Sequence, residues 1–132
     1  MYHIFISHAW DYNDHYNTLI NWINDDQDLK GNWANYSVPM EKPIETNKKK
    51  ELREKLTNKI ALSNVIVVVS GMYAAYSEWI DYEIDEAVRM GKYIIGVKPW
   101  GQERIPVKIQ NNASIMVGWN SSSVTNAIKN SK

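Results

Sequence analysis

The sequence predicts a doubly wound α/β fold, and three observations carry that expectation. Short runs rich in β-branched and aromatic residues recur at Tyr2–Ile6, Val65–Val69 and Tyr93–Val97, as strands require. Between them lie segments whose apolar residues fall at helical spacing. Val65-Ile66-Val67-Val68-Val69 is also apolar at every position, the pattern of a central parallel strand covered on both faces.

The first strand, Tyr2–Ile6, breaks at Ser7-His8. From Asp11 to Asn24 the residues Tyr16, Leu19, Ile20 and Ile23 recur at helical spacing, with Asp11 or Asn13 available as a cap. Trp33–Val38, closed by Pro39, reads as a short second strand at a sheet edge. The two prolines in Pro39–Asn47 predict an exposed loop. A helix over Lys48–Leu62 follows, with the apolar stripe Leu52, Leu56, Ile60; the Lys48-Lys49-Lys50 run at its start reads as a solvated face.

After the third strand, Val65–Val69, a helix is expected from Ser77 to Met90, closed by Gly91 in a left-handed cap. The fourth strand is Tyr93–Val97. Pro99, Gly101 and Pro106 then argue for an irregular segment over Gln102–Asn112 in place of a regular fourth helix. Ser114–Val117 makes a fifth strand, and Ser121 or Ser122 caps a last helix to Lys129. Alternation of strands and helices implies parallel strands joined by right-handed crossovers. The expected result is a flavodoxin-like sheet of about five strands in the order 2-1-3-4-5, as one domain over residues 1–132.

Composition narrows the function. Fifteen basic and fifteen acidic residues cancel, which removes the long-range attraction typical of a nucleic-acid or anionic-membrane binder. With no cysteine, disulfides, thiolate nucleophiles and Cys-ligated metals are excluded, and a reducing compartment suits the chain. No basic leader or long apolar stretch opens it. A cytoplasmic protein without nucleic-acid or membrane partners is expected.

In the expected strand order the chain leaves the first and third strands in opposite directions, opening a crevice at their carboxyl ends. Ser7-His8-Ala9-Trp10 and Ser70–Glu83 meet there. Neither a dinucleotide-binding glycine motif nor a P-loop occurs, which argues against hydride-transfer and nucleotide-triphosphate readings. The acidic pair and the phosphoryl-accepting aspartate of a receiver domain are missing too. His3, His8 and His15 have no metal-ligand spacing, so no metal and no cofactor are expected. His8 is the one histidine at the crevice, a candidate for substrate phosphate or ribose.

On the helix after the third strand, steps of 100° place Ile80, Ile84, Ala87 and Val88 on a core stripe, with Trp79, Glu83 and Met90 on a neighbouring stripe at its edge. A carboxylate at the rim of a core, beside an indole, is partly desolvated, as catalytic carboxylates are. Trp79 and Trp100 are placed to offer a stacking face to a base or nicotinamide ring.

These residues resemble a family. FISHAW, from Phe5 to Trp10, looks like the first signature of TIR domains. Ser77-Glu78-Trp79-Ile80-Asp81-Tyr82-Glu83 looks like the second, with Ile80 at the position of its cysteine. Chain length, the sequence YSEW and the irregular fourth connection resemble most closely the small TIR-like proteins of bacterial Thoeris anti-phage systems, over nearly the whole chain.

The resemblance implies cleavage of the bond between nicotinamide and ribose in NAD, with NAD as substrate. Glu83 is then the catalytic carboxylate, and Phe5, Ser7, His8 and Trp79 border the substrate. It further implies an ADP-ribose-derived, cyclic product that activates a separate effector protein. Because constant activity would drain the cell's NAD, low basal turnover is expected, with activation by a phage-derived trigger or by self-association; the oligomeric state itself is left open by the residues. Whether water or an internal nucleophile takes the ribose is left open by the residues. Two alternatives also stay open: a TIR-like interaction module without chemistry, and a nucleoside deoxyribosyltransferase-like enzyme.

Overall fold

A computed structural model of the chain describes residues 1–9, 13–40, 46–99 and 104–131. Six strands form one parallel sheet: β1 (Tyr2–Ala9), β2 (Trp33–Asn35), β3 (Pro39–Met40), β4 (Val65–Val69), β5 (Tyr93–Lys98) and β6 (Ile115–Gly118). Among the described residues five α-helices flank it: α1 (Asn13–Asp25), α2 (Thr46–Leu62), α3 (Tyr73–Arg89), α4 (Val107–Asn112) and α5 (Ser121–Lys129). The order is β2-β1-β4-β5-β6, with β3 pairing β1 beyond the end of β2. This is the flavodoxin-like arrangement expected from the alternation, and the chain does reverse direction between β1 and β4.

The expected second strand is divided in two. Asn35 Oδ1 accepts from both the backbone N–H and the hydroxyl of Ser37, and the Ser37 hydroxyl oxygen accepts from the Ile6 N–H. Side chains thus take the place of ladder partners, which ends β2. Pro39 and Met40 then rejoin the sheet opposite His8 and Ala9, and Met40 is fully buried. The expected exposed loop therefore begins as a strand; proline is tolerated there because the pairing is at an edge. Residues 41–45 lie outside the described residues.

Two apolar layers sandwich the sheet. Alternate residues of β1 point to opposite faces: Phe5 and Ala9 join the layer under α2, α3 and α4, while Ile4 and Ile6 join the layer under α1 and α5. Leu56 and Ile60 of α2 and Leu19 and Ile23 of α1 are buried as their spacing predicts. The segment before β6 condenses into the six-residue α4, less than two turns, started at Pro106, where a proline loses no intrahelical bond. Asn120 caps α5 by accepting from the Ser123 N–H at 2.9 Å. The expected caps Ser121 and Ser122 instead lie inside the helix.

α3 carries the largest departure from the expected pattern. Its buried residues are Tyr76, Trp79, Ile80, Glu83, Ile84 and Ala87, a run that spans an arc of roughly 140°. Glu83 lies near the centre of that arc, and Val88, expected in the core, is 50% exposed. The helix is turned so that its carboxylate, not Val88, faces inward. Gly91 has φ +68°, and its N–H and that of Lys92 bond to the carbonyls of Val88 and Ala87, closing the helix with the expected left-handed cap.

Candidate active site

β4 delivers the chain to the carboxyl edge of the sheet, where Ser70–Met72 makes a single 3-10 turn before α3 begins. Within α3, Tyr76 departs from helical geometry at φ −129° and ψ 28°. The regular helix therefore starts at Ser77, where the sequence places it. Tyr73 straps the break: its hydroxyl donates to Asp81 Oδ1 at 2.6 Å, and this bond to a carboxylate holds the phenol's proton up to about 12.

Ser7 pairs with Val68 in the β1–β4 ladder, which fixes its backbone. Its hydroxyl donates to Glu83 Oε1 at 2.5 Å. Both side chains are inside the protein, Ser7 at 1% and Glu83 at 0% exposure. Among the described residues Glu83 Oε2 has no hydrogen-bond partner. Burial raises the Glu83 pKa to about 8, against the opposing pull of the Ser7 hydrogen bond.

The sequence-predicted residues fall into two groups. Ser7 meets Glu83 directly, and Phe5 (0% exposed) and Trp79 (4%) lie in the apolar layer on the same side of the sheet. His8 points to the opposite face. There its ring stacks on Tyr16 of α1 at 3.8 Å between centroids, its Nδ1 lies 3.2 Å from the Ile6 carbonyl, and burial lowers its pKa. Trp10 and Trp100 lie outside the described residues.

Gly71 escaped the sequence reading, although a Ser-Gly pair straight after a β-branched run is the signal of a tight exit from a strand. A Cβ there would come within 2.8 Å of Pro99 Cγ, so glycine lets the 3-10 turn pack against the chain leaving β5. Elsewhere, a groove of about 510 Å³ runs between α2 and α3 beside Lys50, Arg53, Thr57 and Tyr82. Another of about 270 Å³ lies beside Trp22, Asp25 and Ser122. Neither contains Glu83. Among the described residues there is no group of three or more potential metal ligands and no helix long and apolar enough to cross a membrane.

The chain is a flavodoxin-like α/β domain in which a buried carboxylate, held by one hydroxyl, lies at the switch point of the parallel sheet. Residues 5–104 match the family model of the Thoeris protein ThsB, TIR-like domain. The chain belongs to that family, the TIR-like domains of Thoeris defence, and the matched span contains Ser7, Trp79 and Glu83. Among curated proteins no sequence matches it. Among solved structures it is similar to the CMP N-glycosidase BcmB of Clostridium botulinum, with a TM-score of 0.59, 16% identity, and coverage of 96% of this chain and 98% of that one. At that identity the likeness is one of fold.

Proposed function

We propose that the chain cleaves NAD between nicotinamide and ribose, with Glu83 as the catalytic carboxylate. The observation that carries the proposal is a fully buried glutamate with one oxygen held by Ser7 and the other unpartnered among the described residues. Leaving a carboxylate inside an apolar layer costs stability, and acidic groups so placed recur where chemistry needs them.

NAD supplies the complementary charge. The bond from the ribose C1′ to the pyridinium nitrogen breaks, its electron pair stays with the ring, and nicotinamide leaves neutral without a proton. Positive charge moves to C1′, where a fixed carboxylate in a dry site stabilises it. Water then attacks C1′ to give ADP-ribose and a proton, or a nucleophile of the same molecule attacks and gives a cyclic isomer and a proton. Phe5 and Trp79 supply the apolar wall; His8, on the other face, has no contact with the carboxylate. The product is a signal for a separate effector protein, and a phage-derived trigger raises turnover from a low basal level.

One observation favours a second reading. Nearly full-length likeness to a CMP N-glycosidase supports a nucleotide other than NAD as the molecule whose N-glycosidic bond is cut. Mass spectrometry of products from NAD, CMP and deoxynucleosides decides between them, using wild type and Glu83→Gln with and without lysate of infected cells. Nicotinamide release from NAD that disappears in Glu83→Gln is expected. Base release from CMP alone selects the second reading. Unchanged turnover in Glu83→Gln would remove Glu83 from the chemistry, and no base release from any of the three by wild type, with defence output unchanged in Glu83→Gln, would leave only an interaction module.

A further inference from the structure

We infer that Ser7 is a positioning residue: its hydroxyl fixes Glu83 Oε1 and leaves Oε2 as the oxygen presented to the reacting carbon. The assignment rests on Glu83 being the catalytic carboxylate, and it gives Ser7 a different task from bordering the substrate.

Rigidity comes first. Ser7 is held in the β1–β4 ladder opposite Val68, and β4 is buried along its whole length, so the hydroxyl is carried by one of the least mobile parts of the fold. A glutamate side chain has three rotatable bonds, and here the helix supplies only its base. The 2.5 Å bond from Ser7 fixes the far end. With both residues almost wholly buried, water does not compete for that bond, and its directional preference is felt in full.

Asymmetry follows. One carboxylate oxygen has its partner, and the other has none among the described residues. A hydroxyl donor also favours the charged form of the carboxylate, so Ser7 opposes the effect of burial. Other ionisable neighbours are few. Tyr76 comes from the same helix, β4 supplies none, the Lys49–Glu78 pair between α2 and α3 is solvent-accessible, and His8 lies across the sheet. Removing the Ser7 hydroxyl therefore acts on Glu83 without a charged group to compensate among the described residues.

The test uses the full chain as wild type, Ser7→Ala, Ser7→Cys and Ser7→Thr, with two readouts. In the first, the Glu83 carboxyl carbon is followed by NMR of 13C-glutamate-labelled protein against pH, its signal assigned by its absence in Glu83→Gln. Ser7→Ala raises the midpoint, Ser7→Cys raises it less, and Ser7→Thr restores it. In the second, NAD turnover shows kcat lowered about thirtyfold in Ser7→Ala with KM within about twofold, and recovery in Ser7→Thr.

A folded Ser7→Ala, or Ser7→Cys where alanine does not fold, with the wild-type midpoint and kcat overturns the assignment. A selective rise in KM also overturns it and returns Ser7 to substrate binding. Wild-type protein that leaves NAD intact even with lysate of infected cells, while Ser7→Ala still moves the midpoint, defeats the NAD reading and keeps the Ser7–Glu83 relationship.

Discussion

Ser7 and Glu83 are 76 positions apart in the chain and share a 2.5 Å hydrogen bond inside the protein. Everything between them, two crossovers and the central strand, serves to bring a hydroxyl from β1 to a carboxylate on α3. Since that contact is buried, the ionisation of Glu83 is coupled to the stability of the whole fold.

The sign of that coupling follows from where the proton is held. Folded protein keeps the Glu83 proton up to about pH 8, whereas the unfolded chain releases it near 4.5. The contribution to stability is therefore fully present below 4.5, falls by about 1.4 kcal/mol per pH unit across the window, and levels off above 8. In Glu83→Gln that decline disappears. Thermal melts from pH 4 to pH 9 should show the variant more stable than wild type by about 2 kcal/mol or more at pH 8.5. Parallel curves for the two proteins would contradict this.

Turnover should move in the opposite sense. If the carboxylate is the working form, kcat/KM for NAD rises about tenfold per pH unit below the Glu83 midpoint and flattens above about 8. Glu83→Gln should lose about a thousandfold or more at about pH 8.5 and show no such rise with pH. A flat profile in wild type between pH 5.5 and 8.5 would exclude titration of Glu83 in the free enzyme.

Gly71→Ala tests the turn that launches α3. The added methyl meets the ring of Pro99 at 2.8 Å, and the ring can move away only by flipping its pucker. A loss of about 1–3 kcal/mol in chemical denaturation is expected, together with reduced NAD turnover because the turn sets the start of the helix that bears Glu83. Wild-type stability would mean that Pro99 yields.

At the other end of the chain, Asn120→Ala should cost about 1 kcal/mol, the usual loss of a side-chain cap. Ser121→Ala, inside the first turn, should change stability by less than about 0.5 kcal/mol. Urea midpoints of the two variants check the assignment; equal losses would show that the cap is shared.

Much of this architecture is legible in the sequence because burial leaves a periodic trace. Val65–Val69 reads as a central strand since every position is apolar, and Gly91 reads as a helix end since few other residues adopt its backbone conformation. Glu83 was locatable by the spacing from Trp79. Its depth was not: periodicity sorts residues by polarity, so a glutamate at the centre of a core stripe pushes the inferred stripe sideways and draws Val88 in. The facing of His8 is hidden for a related reason. Neighbours on a strand face opposite ways, and once Ser7 turns toward α3, His8 must turn toward α1 and Tyr16. The division of β2 from β3 depends on Asn35 and Ser37 outcompeting backbone partners, a contest between local hydrogen bonds that composition does not reveal.

The position of Glu83 also shapes how this protein can change over generations. Its site on α3 is one that an aliphatic residue would fill comfortably. Mutational drift under pressure for robustness alone would therefore erase the carboxylate early, leaving a sturdier domain of the same shape with nothing to react. On the proposed reading only its chemistry opposes that loss, and directed-evolution libraries sorted only for heat resistance should lose the glutamate first.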